Sequence, residues 1–140
     1  ALGFARYGLH EPLILVARGL FGAAQCFELK RLPELFCGFA RRPELSPTAY
    51  PLACAPQAWS AASVFGLLGA LLAVSFEPEA HRIRFSRPVL PDRLGEISIS
   101  NLRLGAGSVD LAIRRKGPDP ADVAIAVIRR DGPVEIVVTR

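Results

Sequence analysis

The sequence has no methionine, one tryptophan and three cysteines among 140 residues, and only 21% of it is charged. Its cysteines, Cys26, Cys37 and Cys54, form no CxxC pair, and both histidines, His10 and His81, lie far from them in the chain. Structural zinc sites need such ligands at short spacings, so we expect neither a metal site nor a cofactor. An odd number of cysteines without a disulfide pattern favours a reducing compartment, and we expect the cytoplasm.

An excess of positive charge is confined to the C-terminal part of the chain. Residues 1–80 carry six basic and six acidic side chains, whereas residues 81–140 carry eleven and seven, which accounts for the formal charge of +4. A nucleic-acid partner would bind such a basic region. However, Arg82 and Arg84 alternate with apolar residues, as on the wet face of a sheet, and no aromatic side chains interleave with the arginines. We therefore expect no nucleic-acid partner.

The first half of the chain has the hydropathy of buried helices. We predict a helix that ends at Gly8, a second over residues 11–27 and a third over residues 56–76. Because the second has one narrow polar stripe and the third has no charge, both are expected to be buried among other helices. A membrane span is the alternative for the third helix, but acidic residues follow it and no basic residue flanks it, so we expect no membrane contact.

Past residue 80, apolar side chains recur at every second position, which is typical of strands. Turn residues separate five predicted strands, centred near Ile83, Ile97, Leu111, Ile125 and Ile136. Asp131 and Gly132 predict a tight hairpin between the last two strands. This part is expected to be a small antiparallel sheet or half sandwich.

A long loop, residues 29–55, joins the second and third predicted helices and gathers polar and aromatic side chains between prolines. Long loops of this composition are more often functional than structural in compact proteins. One of its two carboxylates, Glu34, stands beside a rigidifying Pro33, and Trp59 follows closely after the loop. This stretch is the candidate site of the chain.

Four segments carry a family resemblance: RLPELFCGF and YPLACAPQAW at the two ends of the loop, ALGFARYGL at the N-terminus and LRLGAGSVDLAIRR in the strand region. Together with the Ala and Leu helix that follows the loop, they resemble the C-terminal end of the bacterial amylo-alpha-1,6-glucosidase (glycogen debranching enzyme)-like proteins. These are glycosidases with an (α/α)6 toroid fold.

The resemblance implies an α+β chain, with the last helices of an (α/α)6 toroid over residues 1–79 and a small antiparallel β region over residues 80–140. The loop would lie at the mouth of the toroid, where an α-glucan binds. Twelve helices need on the order of 250 residues, so the chain is expected to be a fragment of a larger enzyme. Its N-terminal part, with the general acid, would be missing here, and the chain alone would be inactive.

Glu34 is the candidate general base by this resemblance, since an inverting glycosidase needs one ionised carboxylate to activate water. The alternative is a structural ion pair with Arg31 or Arg41. Of the thirteen acidic residues, only Glu34 lies between a proline and the apolar residues Leu35 and Phe36 in a loop that joins two apolar helices.

Four further residues are candidates for sugar contacts. Trp59 could stack on a sugar ring, although packing in the core is the alternative, and Gln57 could hydrogen bond hydroxyl groups. Tyr50 and Arg42 are weaker candidates. A non-catalytic carbohydrate- or protein-interaction module is the other functional interpretation. A fragment of a toroid is expected to self-associate through its exposed helices, whereas a monodisperse monomer would favour the independent module.

Overall fold

The computed structural model describes residues 1–42 and 45–139, so Pro43 and Glu44 of the predicted loop and the terminal Arg140 lie outside the described part. Within it, three α-helices precede or flank the loop, and six strands follow. They are α1 (Leu2–Arg6), α2 (His10–Ala24), α3 (Ala58–Leu72), β1 (Val74–Glu77), β2 (Arg82–Ser86), β3 (Glu96–Leu104), β4 (Gly107–Arg115), β5 (Val123–Asp131) and β6 (Glu135–Thr139).

The helices pack through small and branched apolar residues. Leu13, Ile14 and Ala17 of α2 form one buried cluster with Ala70 and Leu71 of α3. In the described residues, no helix has the length and hydropathy needed to cross a membrane.

The strands form two three-stranded sheets. One has the order β1-β2-β6, in which β1 is antiparallel and β6 parallel to β2, and the other is the antiparallel sheet β3-β4-β5. Both sheets contribute to one hydrophobic core: Ile83 and Phe85 of β2 meet Leu111 and Ile113 of β4, and Leu72 of α3 joins them. All five predicted strands are present, and β1 is a sixth. The expectation of one small antiparallel sheet is wrong, because the strands form two sheets and β6 runs parallel to β2.

The chain changes sheets between β5 and β6. Gly132 has a positive φ of +72°, and a Cβ on Gly107 would lie 3.0 Å from the carbonyl oxygen of Pro133, so both positions require glycine. The predicted hairpin at Asp131 and Gly132 is wrong, because β5 pairs with β4 whereas β6 pairs with β2. The turn exists, but Val134 after it is buried in the shared core and directs the chain to the other sheet.

The predicted toroid is also wrong. The described residues contain only three α-helices, of which α1 has five residues and buries none of them. The apolar surface of α3 that predicted neighbouring helices is covered in part by strands, since Leu72 packs against the sheets. In addition, α3 ends at Leu72, and β1 occupies Val74–Glu77, which overlaps the end of the segment predicted to be helical. Over residues 1–42 and 45–139 the fold is of mixed α+β type, and these residues contain no closing ring of helices.

An ion-pair network ties the three strands of the first sheet together on its solvent side. Glu77 of β1 accepts hydrogen bonds from Arg84 at 2.7 Å and Arg82 at 3.3 Å, and Arg82 also bonds Glu135 of β6 at 2.8 Å. The hydrogen bond from Arg84, with the positive charges of both arginines, lowers the pKa of Glu77. Glu77 therefore stabilises the fold only while it is ionised.

The expected consequence is a pH-dependent contribution to stability. A carboxyl whose pKa is lowered in the folded state stabilises it above the unfolded pKa of about 4.3, and the contribution is lost as the pH falls through the lower folded value. We expect Glu77→Gln to lower the melting temperature near neutral pH and to make it fall less steeply below about pH 4. Thermal melts from neutral to acid pH would measure both effects.

Glu79→Gln is the matched control, because Glu79 forms no ion pair within the described residues. Its melting curve should follow that of the unmodified chain at each pH. If the melting temperatures of the Glu77→Gln variant and the unmodified chain fell equally with pH, ionised Glu77 would not contribute to stability as proposed.

Candidate functional site

The long loop folds back on itself as an irregular hairpin whose two limbs share backbone contacts. These begin at α3 and run outward: Gln57 N–H donates to the Leu32 carbonyl oxygen at 3.2 Å, Glu34 N–H to that of Cys54 at 2.8 Å and Cys37 N–H to that of Thr48 at 2.9 Å, with a bridge between Phe36 and Ala49. The start and the end of the loop, 25 residues apart at Leu32 and Gln57, are therefore neighbours in space. We call this segment, residues 31–57, the loop hairpin.

The first limb of the loop hairpin, which contains Leu32 and Phe36, is fixed to the end of α2. Leu32 is buried against Ala23 and Ala24, and the rings of Phe27 and Phe36 stack with centroids 6.3 Å apart. These apolar contacts explain how a segment with few regular hydrogen bonds holds one position. They place Glu34 between two anchored residues.

Glu34 itself is exposed to solvent, and its Oε2 accepts a hydrogen bond from the backbone N–H of Cys54 at 3.3 Å. The backbone N–H of Glu34 also donates a hydrogen bond to the carbonyl oxygen of Cys54, so two hydrogen bonds hold Glu34 against Cys54 in the second limb. The alternative ion pair with Arg31 or Arg41 is not present. The carboxylate keeps acceptor positions for a ligand hydroxyl or a water molecule.

Gln57 and Trp59 stand at the start of α3, beside the clamped end of the loop hairpin. Gln57 is the N-cap residue, but its side chain makes no capping hydrogen bond. The side chain of Trp59 is 65% exposed, so the alternative that it packs in the core is wrong. An exposed indole and an amide that caps no backbone group, two positions apart in the chain, are groups that can contact a polar ligand with an apolar face.

Tyr50 and Arg42 are distributed along the rest of the loop hairpin. Tyr50 is exposed and follows the bridge residue Ala49. Arg42 donates a hydrogen bond to Thr48 Oγ1 at 3.5 Å, toward the outer end of the hairpin. The structure thus brings Glu34 and Gln57 to the same end, while Arg42 belongs to the other.

Sequence reasoning missed the role of the Cys54 backbone and the position of Arg41. The Cys54 amide holds the Glu34 carboxylate, an interaction that no residue type can signal. Arg41 rests on α2, where a Cβ on Gly22 would lie 3.0 Å from its Nη2. A cavity of about 160 Å³ between α2 and the hairpin is lined by Cys26 and Cys37 as well as Arg41. In the sequence, only the two glycines of α2, Gly19 and Gly22, could have indicated that another segment packs closely against this helix.

Compared with protein-family models, with curated proteins and with solved structures, the chain gives no match. The resemblance to the debranching-type glycosidases therefore depends on the quoted segments alone. It remains a hypothesis, and the loop hairpin is the part of the molecule on which it can be tested.

Proposed function

We propose that this chain is a saccharide-contacting part of a glycoside hydrolase of the amylo-alpha-1,6-glucosidase type, which acts on an α-glucan, and that it is inactive by itself. The proposal rests on the family resemblance and does not require a toroid. The observation that supports it most is the exposed Trp59 beside Gln57, at the end of the loop hairpin that also holds Glu34.

A sugar ring matches this set of groups chemically. Its C–H face can stack on the indole of Trp59, and its hydroxyl groups can pair with the free amide of Gln57 and with the Glu34 carboxylate. Tyr50 offers a second exposed ring further along the hairpin. Covering an exposed aromatic ring with the apolar face of a ligand is favourable, and the polar groups of Gln57 and Glu34 favour a ligand of mixed polarity.

Glu34 is the proposed general base within the complete enzyme. In inverting glycosidases a second carboxyl group, about 6.5 to 9.5 Å away, donates a proton to the leaving oxygen. The general acid would come from another part of the enzyme, with which this chain would associate. The clamp between Glu34 and Cys54 would keep the base at a fixed distance from that acid.

We also propose a cytoplasmic location. Cys26, Cys37 and Cys54 are all free thiols, and Cys26 and Cys54 are exposed. A reducing compartment would keep exposed thiols in this state.

A protein-interaction module is the second candidate, favoured by the apolar surface around α1. Tyr7 is 79% exposed and Leu15 of α2 is 72% exposed, and Leu2 and Leu9 are exposed as well. An exposed surface with this many apolar side chains is more typical of a protein–protein contact than of a surface that stays in water. The partner would be a second copy of the chain or the remainder of the enzyme.

The saccharide proposal predicts that Trp59 contributes directly to binding. We expect a linear or branched malto-oligosaccharide to change the fluorescence of Trp59, which is the only tryptophan. Trp59→Ala should weaken binding by about 1 to 3 kcal/mol if stacking on a sugar resembles stacking on a base. Calorimetric titration of both proteins with the same oligosaccharide would measure this loss.

Phe65→Ala is the matched control, because Phe65 is also an exposed aromatic residue of α3 but lines two cavities in which no described residue of the loop hairpin takes part. It should leave the oligosaccharide affinity unchanged. If both variants bound as well as the unmodified chain, or if the unmodified chain bound no oligosaccharide, the proposed binding surface would be wrong.

The catalytic part of the proposal predicts that the isolated chain releases no sugar from glucan. In a complete enzyme that contains it, Glu34→Gln should lower kcat by about 10² to 10⁴ fold and leave KM nearly unchanged, because the amide keeps a hydrogen-bond acceptor but cannot take a proton from water. Glu28→Gln, at an exposed acid that precedes the loop hairpin, should leave kcat unaffected. Near-normal turnover of the Glu34→Gln enzyme would remove Glu34 from the catalytic role.

The interaction proposal predicts that the chain self-associates as its concentration increases. Leu15→Glu should raise the monomer fraction, because it places a charge within the apolar surface around α1. Ala62→Glu is the control, since it adds the same charge to an exposed position of α3. Sedimentation velocity over a range of concentrations would show a monodisperse monomer in all three proteins if this candidate is wrong.

A further inference from the structure

An open apolar trough runs along α3, between this helix and the edge strands β1 and β3. Two adjoining cavities of about 320 and 310 Å³ form it, and they share Phe65 and Leu68 of α3 as lining residues. Ile97 and Ile99 of β3 line its opposite side in turn, one in each cavity. We call this feature the α3 trough.

The length of the α3 trough follows from its lining. The helix residues that line it span positions 64–72, which is about 12 Å at 1.5 Å per residue, and the strand residues span positions 97–102, which is about 16 Å at 3.3 Å per residue. An extended chain of about ten to twelve carbon atoms, with C–C bonds of about 1.5 Å, has a similar length.

Polarity is distributed unevenly along the trough. The cavity that ends at Phe76 is lined by apolar residues and Gly69, whereas the other cavity has Gln25 and Lys30 at its edge. No aspartate or glutamate among the described residues lines either cavity. The trough therefore has one cationic end and one apolar end.

The backbone places Lys30 at this end. Leu29 and Lys30 both have positive φ values, +50° and +59°, which are uncommon for residues other than glycine. In this conformation Lys30 Nζ donates a hydrogen bond to the carbonyl oxygen of Gln25 at 3.1 Å, close to the mouth of the trough. An ammonium group has three donor hydrogens, so it can also bind an anion.

We propose that the α3 trough binds a single long-chain carboxylate, with the acyl chain along α3 and the carboxylate at Lys30. Charge complementarity supports this occupant, because the only charge in the lining is positive and lies at one end. A bound peptide would bring backbone N–H and C=O groups along its whole length. The side chains that line the cavity ending at Phe76 offer these groups no hydrogen-bond partners. An acyl chain has no such groups, and its burial is favourable for each methylene.

The test uses sodium dodecanoate as the probe, below its micelle concentration, in calorimetric titrations of the full chain. We expect saturable binding at one molecule per chain and no comparable binding of dodecyltrimethylammonium, which has the same tail and the opposite charge. Lys30→Gln should weaken dodecanoate binding by about three- to tenfold, and Lys30→Arg should retain it, because the contact is a charge-assisted hydrogen bond at an exposed site.

Gly69→Leu tests the apolar part, because a side chain on Gly69 would point toward Val74 and enter the trough. Leucine is a better helix former than glycine, so the fold should be preserved. We expect the affinity for dodecanoate to fall at least about tenfold, since several methylenes lose their contacts. Gly66→Leu is the control: it makes the same exchange on the same helix, where a Cβ meets nothing within 4 Å, and should bind normally.

Three results would overturn the proposal. Equal affinity for the two amphiphiles would leave no role for Lys30, and normal binding by Gly69→Leu would place the acyl chain elsewhere. If dodecanoate did not bind and Gly69→Leu instead dissociated a dimer, the trough would belong to a protein interface.

Discussion

The last turn of α3 is the point on which the rest of the structure depends. Its consecutive residues Leu71 and Leu72 are both fully buried but belong to different clusters, Leu71 to the helix pair and Leu72 to the core shared by the two sheets. Burying a leucine contributes roughly 1.5 to 3 kcal/mol, and here two such contributions fix one helix end to both halves of the molecule. The carbonyl oxygens of Leu71 and Ala73 also accept hydrogen bonds from Val89 and Ser86. The helices and the sheets are thus held in one arrangement by a few residues.

That arrangement in turn positions the loop hairpin. Since the C-terminal end of α3 is fixed, its N-terminal end, with Gln57, projects to where the Leu32 carbonyl oxygen can accept its backbone hydrogen bond. The other limb is held independently by Leu32 against α2. A loop fastened at both ends to a packed helix pair can present Glu34 at a defined place even though its side chain is exposed. An exposed position alone would not have distinguished it from other surface carboxylates.

The sequence predicted the strands better than the ends of the helices, for physical reasons. Alternation of apolar residues depends on one buried sheet face, and this face exists in all five predicted strands. The end of α3 was misplaced because its C-cap, Ala73, adopts a left-handed conformation that usually needs glycine, so nothing in the sequence signalled a stop. The toroid was expected from the family resemblance, and the apolar character of α2 and α3 agreed with it. However, helices covered by sheets have the same composition as helices covered by helices. Pairing between β2 and β6 joins residues over 50 positions apart, which no local pattern reveals.

The same limits apply to the candidate site. The mixture of proline, carboxylate and aromatic residues indicated the loop, and the structure adds that Glu34 and Gln57 lie at one end of it, because backbone hydrogen bonds between distant residues join the two limbs. The exposure of Trp59 could not be predicted, since a lone tryptophan on an apolar helix is buried more often than not. Here the apolar side chains of α3 do not all turn inward: Leu71 and Leu72 form the packed end, whereas Trp59 and Phe65 remain exposed toward its start. One helix therefore both completes the core and presents ligand-accessible apolar surface, with the loop hairpin beside Trp59 and the α3 trough beside Phe65.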